Sequence, residues 1–346
     1  MSLYRKLKLA MPLGLAVAML SPPAAPVRAQ TQVSVGFDGY LQLLSARARR
    51  EGVSEGTIAA MTAGLTPNQR VIDLDRAQPG ALPGVAPSFA GYFRSHVDNV
   101  RISGGRSMLQ QTAGLAPQIE RDYGVPTKIV LAIWGHETNY GRYKGDFDLA
   151  RSLATLAWEG RRRELFADEF IALLKMVDRG VPRSRLYGSW AGAFGNPQFL
   201  PSVYLRLARD GDGDGDADIW NDRADTLASI SNYFRDAGWR TGEPWGVRAS
   251  VPAGFDATAV VTRLEAPSCP RVHARQSVWK TVAEWRALGV QPLGYLPENT
   301  LATLIEPDGR GTGAFLLTGN YKVILQYNCS NYYALSVGLL ADEIAR

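Results

Sequence analysis

The chain has 346 residues, 46% of them hydrophobic and 21% charged, and its formal net charge is +5. Its first 29 residues contain four basic side chains and no acidic one, so the rest of the chain carries +1, five minus four. Such a nearly neutral protein lacks the excess of basic residues that binds the phosphate backbone of nucleic acids, which argues against a nucleic-acid partner. A chain of this length can bury one large core or two to three lobes.

The N-terminus has the pattern of an export signal. Arg5, Lys6 and Lys8 precede a short apolar run, Leu9 to Leu20, and small residues up to Ala29 suit cleavage. Neither this run nor any later one reaches the roughly 18 apolar residues of a membrane helix. No cysteine lies near the cut, which disfavours a lipid anchor. We predict a signal peptide at 1–29 and an exported, periplasmic protein without a transmembrane segment.

Helical patterns dominate up to about residue 245. Residues 30–120 are predicted to form an N-terminal helical lobe of short amphipathic segments such as Phe37 to Glu51. From Gly124 to Gly238 the pattern indicates helices joined by glycine-containing turns. The apolar stripe within Glu164 to Arg179 is typical of core rather than of a site.

One of these helices places a carboxylate on an apolar face. Pro126 suits the first turn of the helix and Gly141 suits its end. Glu137 lies at helical spacing from Val130 and Ile133. A carboxyl among apolar side chains ionises less readily, so its pKa rises and it can act as a general acid. The alternative is a glutamate near a helix C-terminus that turns out to solvent.

Two later segments combine small, polar and aromatic residues. Residues 188–201 include the polar side chains Ser189, Asn196 and Gln198 and the rings of Trp190, Phe194 and Phe199. Residues 326–333 have a similar character. Uncharged hydrogen-bonding groups beside flat apolar faces suit a neutral sugar. Close packing of helices would also require the glycines of residues 188–201, so this pattern alone is weak evidence for a sugar site.

An aspartate-rich loop follows. Its acids at relative positions 1, 3 and 5 and a glycine at position 6 match a calcium-loop pattern, in Asp210, Asp212, Asp214 and Gly215. Asp216 would contribute its backbone carbonyl, and Asp218 would bind directly or through water. Asn221 stands where a closing Glu is usual, so Asp222 or Asp225 would supply the last carboxylate. The alternative is a solvated acidic loop, although acids this close repel one another without a cation.

After residue 245 the pattern changes to short strands. Strands are predicted at Val260 to Leu264, Leu301 to Ile305, Ala314 to Thr318 and Tyr321 to Tyr327. One helix, Ser277 to Leu288, interrupts them, and another, Tyr332 to Ile344, closes the chain. We therefore predict an α+β fold, predominantly α, with a small inserted β lobe at 251–313 and a returning strand and helix at 314–346.

Cys269 and Cys329 are the two cysteines of the sequence. In an exported protein a disulfide between them is favoured, and two unrelated buried thiols are the alternative. The three histidines, His96, His136 and His273, form no zinc pattern, and the sequence contains no P-loop or Gly-x-Ser-x-Gly motif. His136 points about 100° away from its helical neighbour Glu137, which favours a structural role.

Taken together, these segments resemble the membrane-bound lytic murein transglycosylase B family. The resemblance covers nearly all of the chain after the signal peptide, in order. It is carried by residues 132–142, 152–157, 191–202, the aspartate-rich loop with Trp220, 231–234, 327–328 and 333–335.

The resemblance implies a lysozyme-like core at 121–250 that cleaves the MurNAc–GlcNAc bond of peptidoglycan without water. It implies that Glu137 is the single acid and base, producing 1,6-anhydroMurNAc ends, and that the substrate's N-acetyl group replaces a second carboxylate. The positions that match glycan-binding residues of the family are Ser189, Gln198, Phe199, Tyr233, Tyr327, Asn328 and Tyr333. The calcium loop matches as well, with one residue inserted before Asp225.

Three positions depart from the family pattern. His136 replaces an aliphatic residue, Asn196-Pro197 replaces a polar or glycine-containing pair, and Cys329 replaces His or Arg. Two other functions stay open on the sequence alone: a muramidase that uses water, with a second carboxylate such as Asp146, Asp148 or Glu159, and a non-catalytic glycan-binding protein. A partner in the cell-envelope machinery is compatible with all three.

Overall fold

The computed structural model describes residues 35–78, 88–263 and 265–346. Residues Gly36–Arg346 form one compact unit. The signal peptide predicted at 1–29 lies outside the described residues. Across those three ranges, no helix is both long and apolar enough to cross a membrane.

Within the described ranges the chain forms fifteen α-helices and seven short strands. The helices are α1 (Phe37–Arg50), α2 (Glu55–Thr62), α3 (Gln69–Arg76), α4 (Phe89–His96), α5 (Asn99–Gln111), α6 (Ala116–Tyr123), α7 (Thr127–Thr138), α8 (Leu149–Glu159), α9 (Arg163–Asp178), α10 (Pro201–Leu207), α11 (Arg223–Asp236), α12 (Pro270–His273), α13 (Val282–Ala287), α14 (Gly319–Tyr327) and α15 (Asn331–Ile344). The strands are β1 (Phe147–Asp148), β2 (Tyr187–Gly188), β3 (Gly246–Ser250), β4 (Lys280–Thr281), β5 (Gln291–Pro292), β6 (Leu301–Ile305) and β7 (Ala314–Leu317). The predicted class, α+β and predominantly α, is confirmed.

The first hydrophobic core surrounds α7. Every residue from Ile129 to Trp134 is buried, and α4, α5, α6, α11, α14 and α15 contribute the side chains around them. This helix is apolar all round over most of its length, and its polar residues lie in its first and last turns. Glu137 therefore leaves the core at the C-terminal end of α7.

The second hydrophobic core joins α1, α2 and α3 to α8, α9 and α10, and it includes Phe194 and Phe199 from the loop before α10. Tyr327, at the end of α14, packs against both cores. The helices of the predicted N-terminal lobe thus divide between the two cores, with α1–α3 in the second and α4–α6 around the first. The lobe boundaries at residues 120, 250 and 313 stay predictions.

Five strands form one antiparallel sheet in the order β4-β6-β7-β3-β5. Its own small core contains Val282, Trp285 and Leu316. The indole N–H of Trp285 donates to the Ala302 carbonyl at 2.9 Å, which satisfies that buried group. β7 continues through Thr318 into α14, so the sheet leads directly back to the first core.

The strand predicted at Tyr321 to Tyr327 is wrong, because this segment is helix α14. Its aromatic and β-branched residues favour a strand locally. Its buried residues Tyr321, Ile324 and Leu325 nevertheless recur at helical spacing, and packing against the first core decides the outcome. The backbone N–H of Gly319 donates to the Glu243 carboxylate at 2.7 Å, which caps the helix start.

Two other predicted elements differ from the structure. The strand predicted from Val260 is replaced by a 3-10 turn that ends at Val260 and by a single bridge from Val261 to Ser277. The helix predicted from Ser277 begins only at Val282, because the preceding residues pair with β6 as strand β4. A capping box between Thr281 and Glu284 marks the helix start.

Candidate active site

Glu137 occupies the last turn of α7, and caps hold both ends of that helix. At the start, the Glu120 carboxylate accepts hydrogen bonds from the backbone N–H and the hydroxyl of Thr127, both at 2.8 Å. At the other end Asn139 takes a left-handed conformation with φ 49°. The helix therefore ends before the predicted stop at Gly141, whose N–H is accepted by the Thr138 hydroxyl at 3.0 Å.

The Glu137 carboxyl is half-buried and accepts one hydrogen bond. The hydroxyl of Tyr333 donates to its Oε1 at 2.5 Å. Burial raises the pKa of Glu137 from 4.5 to about 7, and the bond from Tyr333 lowers it in part. The side chain therefore exists in both protonation states near neutral pH, as an acid that must later act as a base requires.

Three aromatic rings meet beside this carboxyl. The centroid of Tyr327 lies 4.7 Å from that of Tyr233, and both rings lie within about 6 Å of Phe199, at 6.2 and 5.9 Å. Hydrogen bonds fix the two phenols: Tyr327 donates to the Pro197 carbonyl at 2.6 Å and Tyr233 to the Gln326 carbonyl at 2.7 Å. The charge of Glu137 raises the pKa of Tyr327 further after burial has raised it, which reflects their proximity.

The other predicted glycan-binding side chains, Ser189, Gln198 and Asn328, lie on loops near these rings. The Ser189 hydroxyl accepts the Ala193 N–H at 3.0 Å and closes a tight turn. The Gln198 amide donates to the carbonyls of Lys144 and Gly195, at 3.2 and 3.0 Å. Asn328 is exposed on the turn between α14 and α15. Of the predicted set, the structure thus brings Tyr333 into contact with Glu137 and joins Phe199, Tyr233 and Tyr327.

A stack of rings behind Tyr333 was missed by the sequence reasoning. Tyr92 stacks on His96 at 3.8 Å, His96 on His136 at 5.8 Å, and His136 packs against Tyr333 at 5.4 Å. Burial, and then the charge of His96, lower the pKa of His136 to about 3, so its ring is neutral near pH 7. The spacing of Tyr92 and His96, four residues apart on one helix, was the available signal.

The aspartate-rich loop gathers three carboxylates. Oxygens of Asp210, Asp212 and Asp214 lie within 4.8 Å of one another. Asp210 accepts the N–H groups of Gly213 and Gly215 at 2.6 and 2.8 Å, and Gly215 has φ +95°, which its lack of a side chain permits. Clustered hard oxygen ligands on a tight loop fit a calcium ion.

The other predicted ligands lie around this triad. Asp225 is 1% exposed, and its two oxygens accept the N–H groups of Gly211 and Asp218 at 2.7 and 2.6 Å. The Asp216 carboxylate pairs with Arg185 at 2.7 Å, and the predicted role of Asp216 as a ligand uses its backbone carbonyl instead. Asp225 thereby holds the loop at both ends.

Cys269 and Cys329 form a disulfide with Cα atoms 5.7 Å apart. It ties the segment before α12 to the residue that follows Asn328. The turn between α14 and α15 is therefore anchored covalently.

Comparison with known proteins identifies the family. A family model described as Transglycosylase SLT domain matches residues 36–342. The chain belongs to this family. The transglycosylase domain accordingly spans nearly all of the described residues.

A curated relative and two solved structures are similar to this transglycosylase domain. Membrane-bound lytic murein transglycosylase B of Escherichia coli (strain K12) is 34% identical over 226 residues, 64% of this chain and 58% of that protein, so the match spans less than two thirds of the relative. SltB3 from Pseudomonas aeruginosa, in complex with NAG-anhNAM-pentapeptide, has a TM-score of 0.80 and 38% identity over 89% of this chain and 79% of that one. The Escherichia coli lytic transglycosylase Slt35, in complex with calcium, has a TM-score of 0.71 and 26% identity over 88% and 92%. The family resemblance and the lysozyme-like fold are confirmed.

Proposed function

We propose that the chain is a lytic transglycosylase that cleaves the MurNAc–GlcNAc β-1,4 bond of peptidoglycan without water. The observation that carries the proposal is the Glu137 carboxyl, with its pKa raised to about 7 and bound by Tyr333, beside a cluster of aromatic rings. The family supports it, since a related structure binds NAG-anhNAM-pentapeptide.

The proposed reaction uses Glu137 twice. Its protonated carboxyl gives a proton to the glycosidic oxygen as the bond to C1 of MurNAc breaks, and the N-acetyl carbonyl of the substrate stabilises the developing positive charge. The Glu137 carboxylate then takes the proton of the C6 hydroxyl while that oxygen bonds to C1. The product is 1,6-anhydroMurNAc, and the carboxyl is protonated again. A pKa near the working pH serves both steps.

The rings of Phe199, Tyr233 and Tyr327 offer flat faces for sugar rings. Ser189, Gln198 and Asn328 add polar groups on the adjoining loops, and Tyr333 holds the acid in place. Neutral polar groups and aromatic faces suit an uncharged glycan.

A hydrolytic muramidase requires a second carboxylate to activate water. Two of the three candidate carboxylates, Asp148 and Glu159, are used elsewhere. Asp148 caps α8 by accepting the Arg151 N–H at 3.0 Å and pairs with Arg183, and Glu159 pairs with Arg76 at 3.1 Å. This arrangement favours the water-free reaction.

Mass spectrometry of the products from purified peptidoglycan, digested with the protein lacking its first 29 residues, tests the proposal. We expect muropeptides that end in 1,6-anhydroMurNAc, each lighter by one water than a reducing end. Reducing ends would establish a hydrolase instead. Absence of any soluble product would favour a glycan-binding protein.

Tyr333→Phe should shift the pH profile of turnover. Loss of the hydroxyl removes a bond that favours the carboxylate, so the pKa of Glu137 rises above about 7 and its acid form persists to higher pH. The alkaline limb of the rate profile should therefore move up. The base step should slow, lowering kcat roughly tenfold, as expected for loss of one hydrogen bond to a charged group.

Tyr332→Phe is the matched control for this experiment. The Tyr332 hydroxyl lies 3.5 Å from the Asp308 carboxylate. Among the described residues it is Tyr333, and not Tyr332, that donates a hydrogen bond to Glu137. Its removal should leave the pH profile in place. An alkaline limb that stays fixed in Tyr333→Phe would contradict the role given to the hydroxyl.

We infer that the aspartate-rich loop binds a structural calcium ion. Asp210, Asp212 and Asp214 would hold it through their carboxylates, Asp216 through its backbone carbonyl, and Asp225 is the predicted last ligand. The clustered triad supports the inference, as does the related structure in complex with calcium. When bound, the ion neutralises the clustered charges and stiffens the loop before α11.

We further propose that the protein works in the periplasm after removal of residues 1–29. Its proposed substrate lies there, and the curated relative is a murein enzyme. Cell-envelope proteins are the class of partner that this location implies. Detection of the mature protein in a periplasmic extract, with its N-terminus at Gln30, tests the location.

A further inference from the structure

A column of three stacked rings packs against Tyr333, the phenol that donates to Glu137. The rings are those of Tyr92, His96 and His136, and we call them the ring column. The planes of Tyr92 and His96 are 6° apart, and those of His96 and His136 are 10° apart. The last ring, His136, meets Tyr333 at 57° with the two centroids 5.4 Å apart. The ring of Tyr333 therefore touches the column, while its hydroxyl touches the carboxyl at 2.5 Å.

The far end of the ring column is fixed by helix α4. His96 Nδ1 donates to the Tyr92 carbonyl at 2.9 Å, which holds the His96 ring against its own helix. The Asp308 carboxylate, in the turn between β6 and β7, accepts the backbone N–H of Ala90 at 3.0 Å and so holds the start of α4. Both α4 and α7 pack in the first core. The column thus rests on a helix that is anchored at its start and along its length.

His136 is polar where packing alone would favour an apolar side chain. Its Nε2 atom is buried and has no hydrogen-bond partner among the described residues. A buried nitrogen without a partner costs folding free energy, and a side chain without polar atoms would avoid that cost. Stability therefore does not explain the imidazole. Residues that break a packing rule are most often found at functional sites, and His136 is next in sequence to Glu137.

The groups around the imidazole of His136 keep it neutral. Burial, and then the charge of His96, lower its pKa to about 3. The backbone of Ser336 in α15 and the carboxylate of Asp98 raise this pKa in part, and the charge of Arg101 in α5 lowers it. A neutral ring adds no net charge beside the proposed acid, so its influence on that acid is exerted through packing.

Phenols from three helices face the Glu137 carboxyl: Tyr92 of α4, Tyr327 of α14 and Tyr333 of α15. Burial, and then the charge of Glu137, raise the pKa of each phenol. Among the described residues only Tyr333 donates a hydrogen bond to the carboxyl. That bond lowers the pKa of Glu137, against burial, which raises it to about 7. The position of this one hydroxyl therefore governs how readily Glu137 ionises.

We propose that His136 is a positioning residue of the proposed reaction, whose ring, backed by the rest of the column, keeps the Tyr333 hydroxyl on the Glu137 carboxyl. The flat imidazole extends the parallel stacking of the column to Tyr333, which a branched aliphatic side chain cannot do. The bond from Tyr333 favours the carboxylate, so loosening it leaves Glu137 protonated to higher pH. The role in catalysis rests on the proposed function, whereas the effect on the ionisation of Glu137 does not.

Carboxyl NMR measures this effect without turnover. The mature protein is labelled with carbon-13 at glutamate Cδ, and the signal that is absent from Glu137→Gln is followed through a pH titration. The wild type should titrate at a pKa of about 7. In His136→Leu this pKa should rise by roughly 0.5, about a threefold change in the ionisation constant. Lys128→Gln, in the first turn of the same helix, is the matched control and should keep the wild-type value.

Two further variants keep this test decisive. If His136→Leu does not fold, His96→Ala takes its place, because it removes the ring behind His136 and should raise the pKa of Glu137 as well. In Tyr333→Phe, which has no hydroxyl to position, adding His136→Leu should cause no further rise. An unchanged pKa in the folded single variants, or the same rise with and without the Tyr333 hydroxyl, overturns the proposal.

Kinetics on peptidoglycan separate this inference from the proposed function. His136→Leu should lower kcat about threefold, move the alkaline limb of the rate profile to higher pH and leave KM unchanged. A change in KM alone would indicate a role in glycan binding and would overturn the proposal. If the wild type releases no product, the proposed function fails, while the NMR titration still decides whether His136 positions Tyr333.

Discussion

Glu137→Gln should abolish turnover while leaving the fold and glycan binding intact. The glutamine keeps an oxygen that can accept the Tyr333 hydroxyl at the position where Glu137 accepts it at 2.5 Å. It cannot deliver a proton to the glycosidic oxygen or take one from the C6 hydroxyl. Since general acid–base catalysis contributes roughly 10²–10⁴-fold and one residue performs both roles, we expect kcat to fall at least about 10³-fold. The measurement is the release of anhydro-muropeptides, with glycan binding followed by sedimentation with sacculi.

The same variant should be at least as stable as the wild type above neutral pH. The pKa of Glu137 is about 7 in the folded protein against 4.5 without its surroundings, so the carboxyl costs folding free energy as pH rises between these values. Replacing it with a neutral amide removes that cost. Thermal melts at pH 8 measure this effect.

Asp146→Asn is the control that separates the two catalytic mechanisms. Asp146 is exposed and follows Gly145, which lies against the backbone of Gly188 and Ser189. It should retain the wild-type rate and the anhydro products. Product release by Glu137→Gln would refute the assignment of the acid, and loss of activity in Asp146→Asn would indicate a second catalytic carboxylate.

Chelation should destabilise the protein, and calcium should restore it. Without a cation the carboxylates of Asp210, Asp212 and Asp214 repel one another within 4.8 Å. At a calcium concentration 100 times Kd, binding adds about 2.7 kcal/mol, which corresponds to roughly 5 °C in Tm for a chain of this size. We expect EDTA to lower Tm by that order and added calcium, but not magnesium, to reverse the change. Differential scanning calorimetry provides the measurement.

The matched variants for this experiment are the triple change of Asp210, Asp212 and Asp214 to Asn and the single change Asp38→Asn. Asp38 is an exposed acid in the first turn of α1, outside the loop. The triple variant should melt at one temperature with or without calcium, whereas Asp38→Asn should respond like the wild type. A wild-type melt indifferent to EDTA would rule out the metal.

The position of Glu137 could be predicted because local pattern and packing agree there. Val130 and Ile133 lie on the helical face that the sequence indicates, and both are buried in the first core. The aspartate-rich loop could be predicted for a similar reason, because the spacing of its acidic residues is a local property of the chain. Segments whose local sequence pattern agrees with their tertiary packing can be predicted in this way.

The remaining features depend on contacts that are distant in sequence. Tyr321 to Tyr327 has the composition of a strand, and only its packing on the first core makes it helical. The bond between Tyr333 and Glu137 joins residues 196 positions apart. His96 lies behind His136 because α4 and α7 pack into one core. Sequence spacing carries no information on such pairings.

The proposed glycan-binding site contains residues from both hydrophobic cores. Glu137 and Tyr333 extend from the first core, Phe199 belongs to the second, and Tyr327 packs against both. The distance between the proposed proton donor, Glu137, and the rings proposed to stack on sugars is therefore set by how the two cores fit together. Substitutions in the interior, far from the proposed binding site, can consequently change which glycans fit the site. Evolution, in the laboratory or in nature, can therefore alter specificity without changing any residue that lines the site.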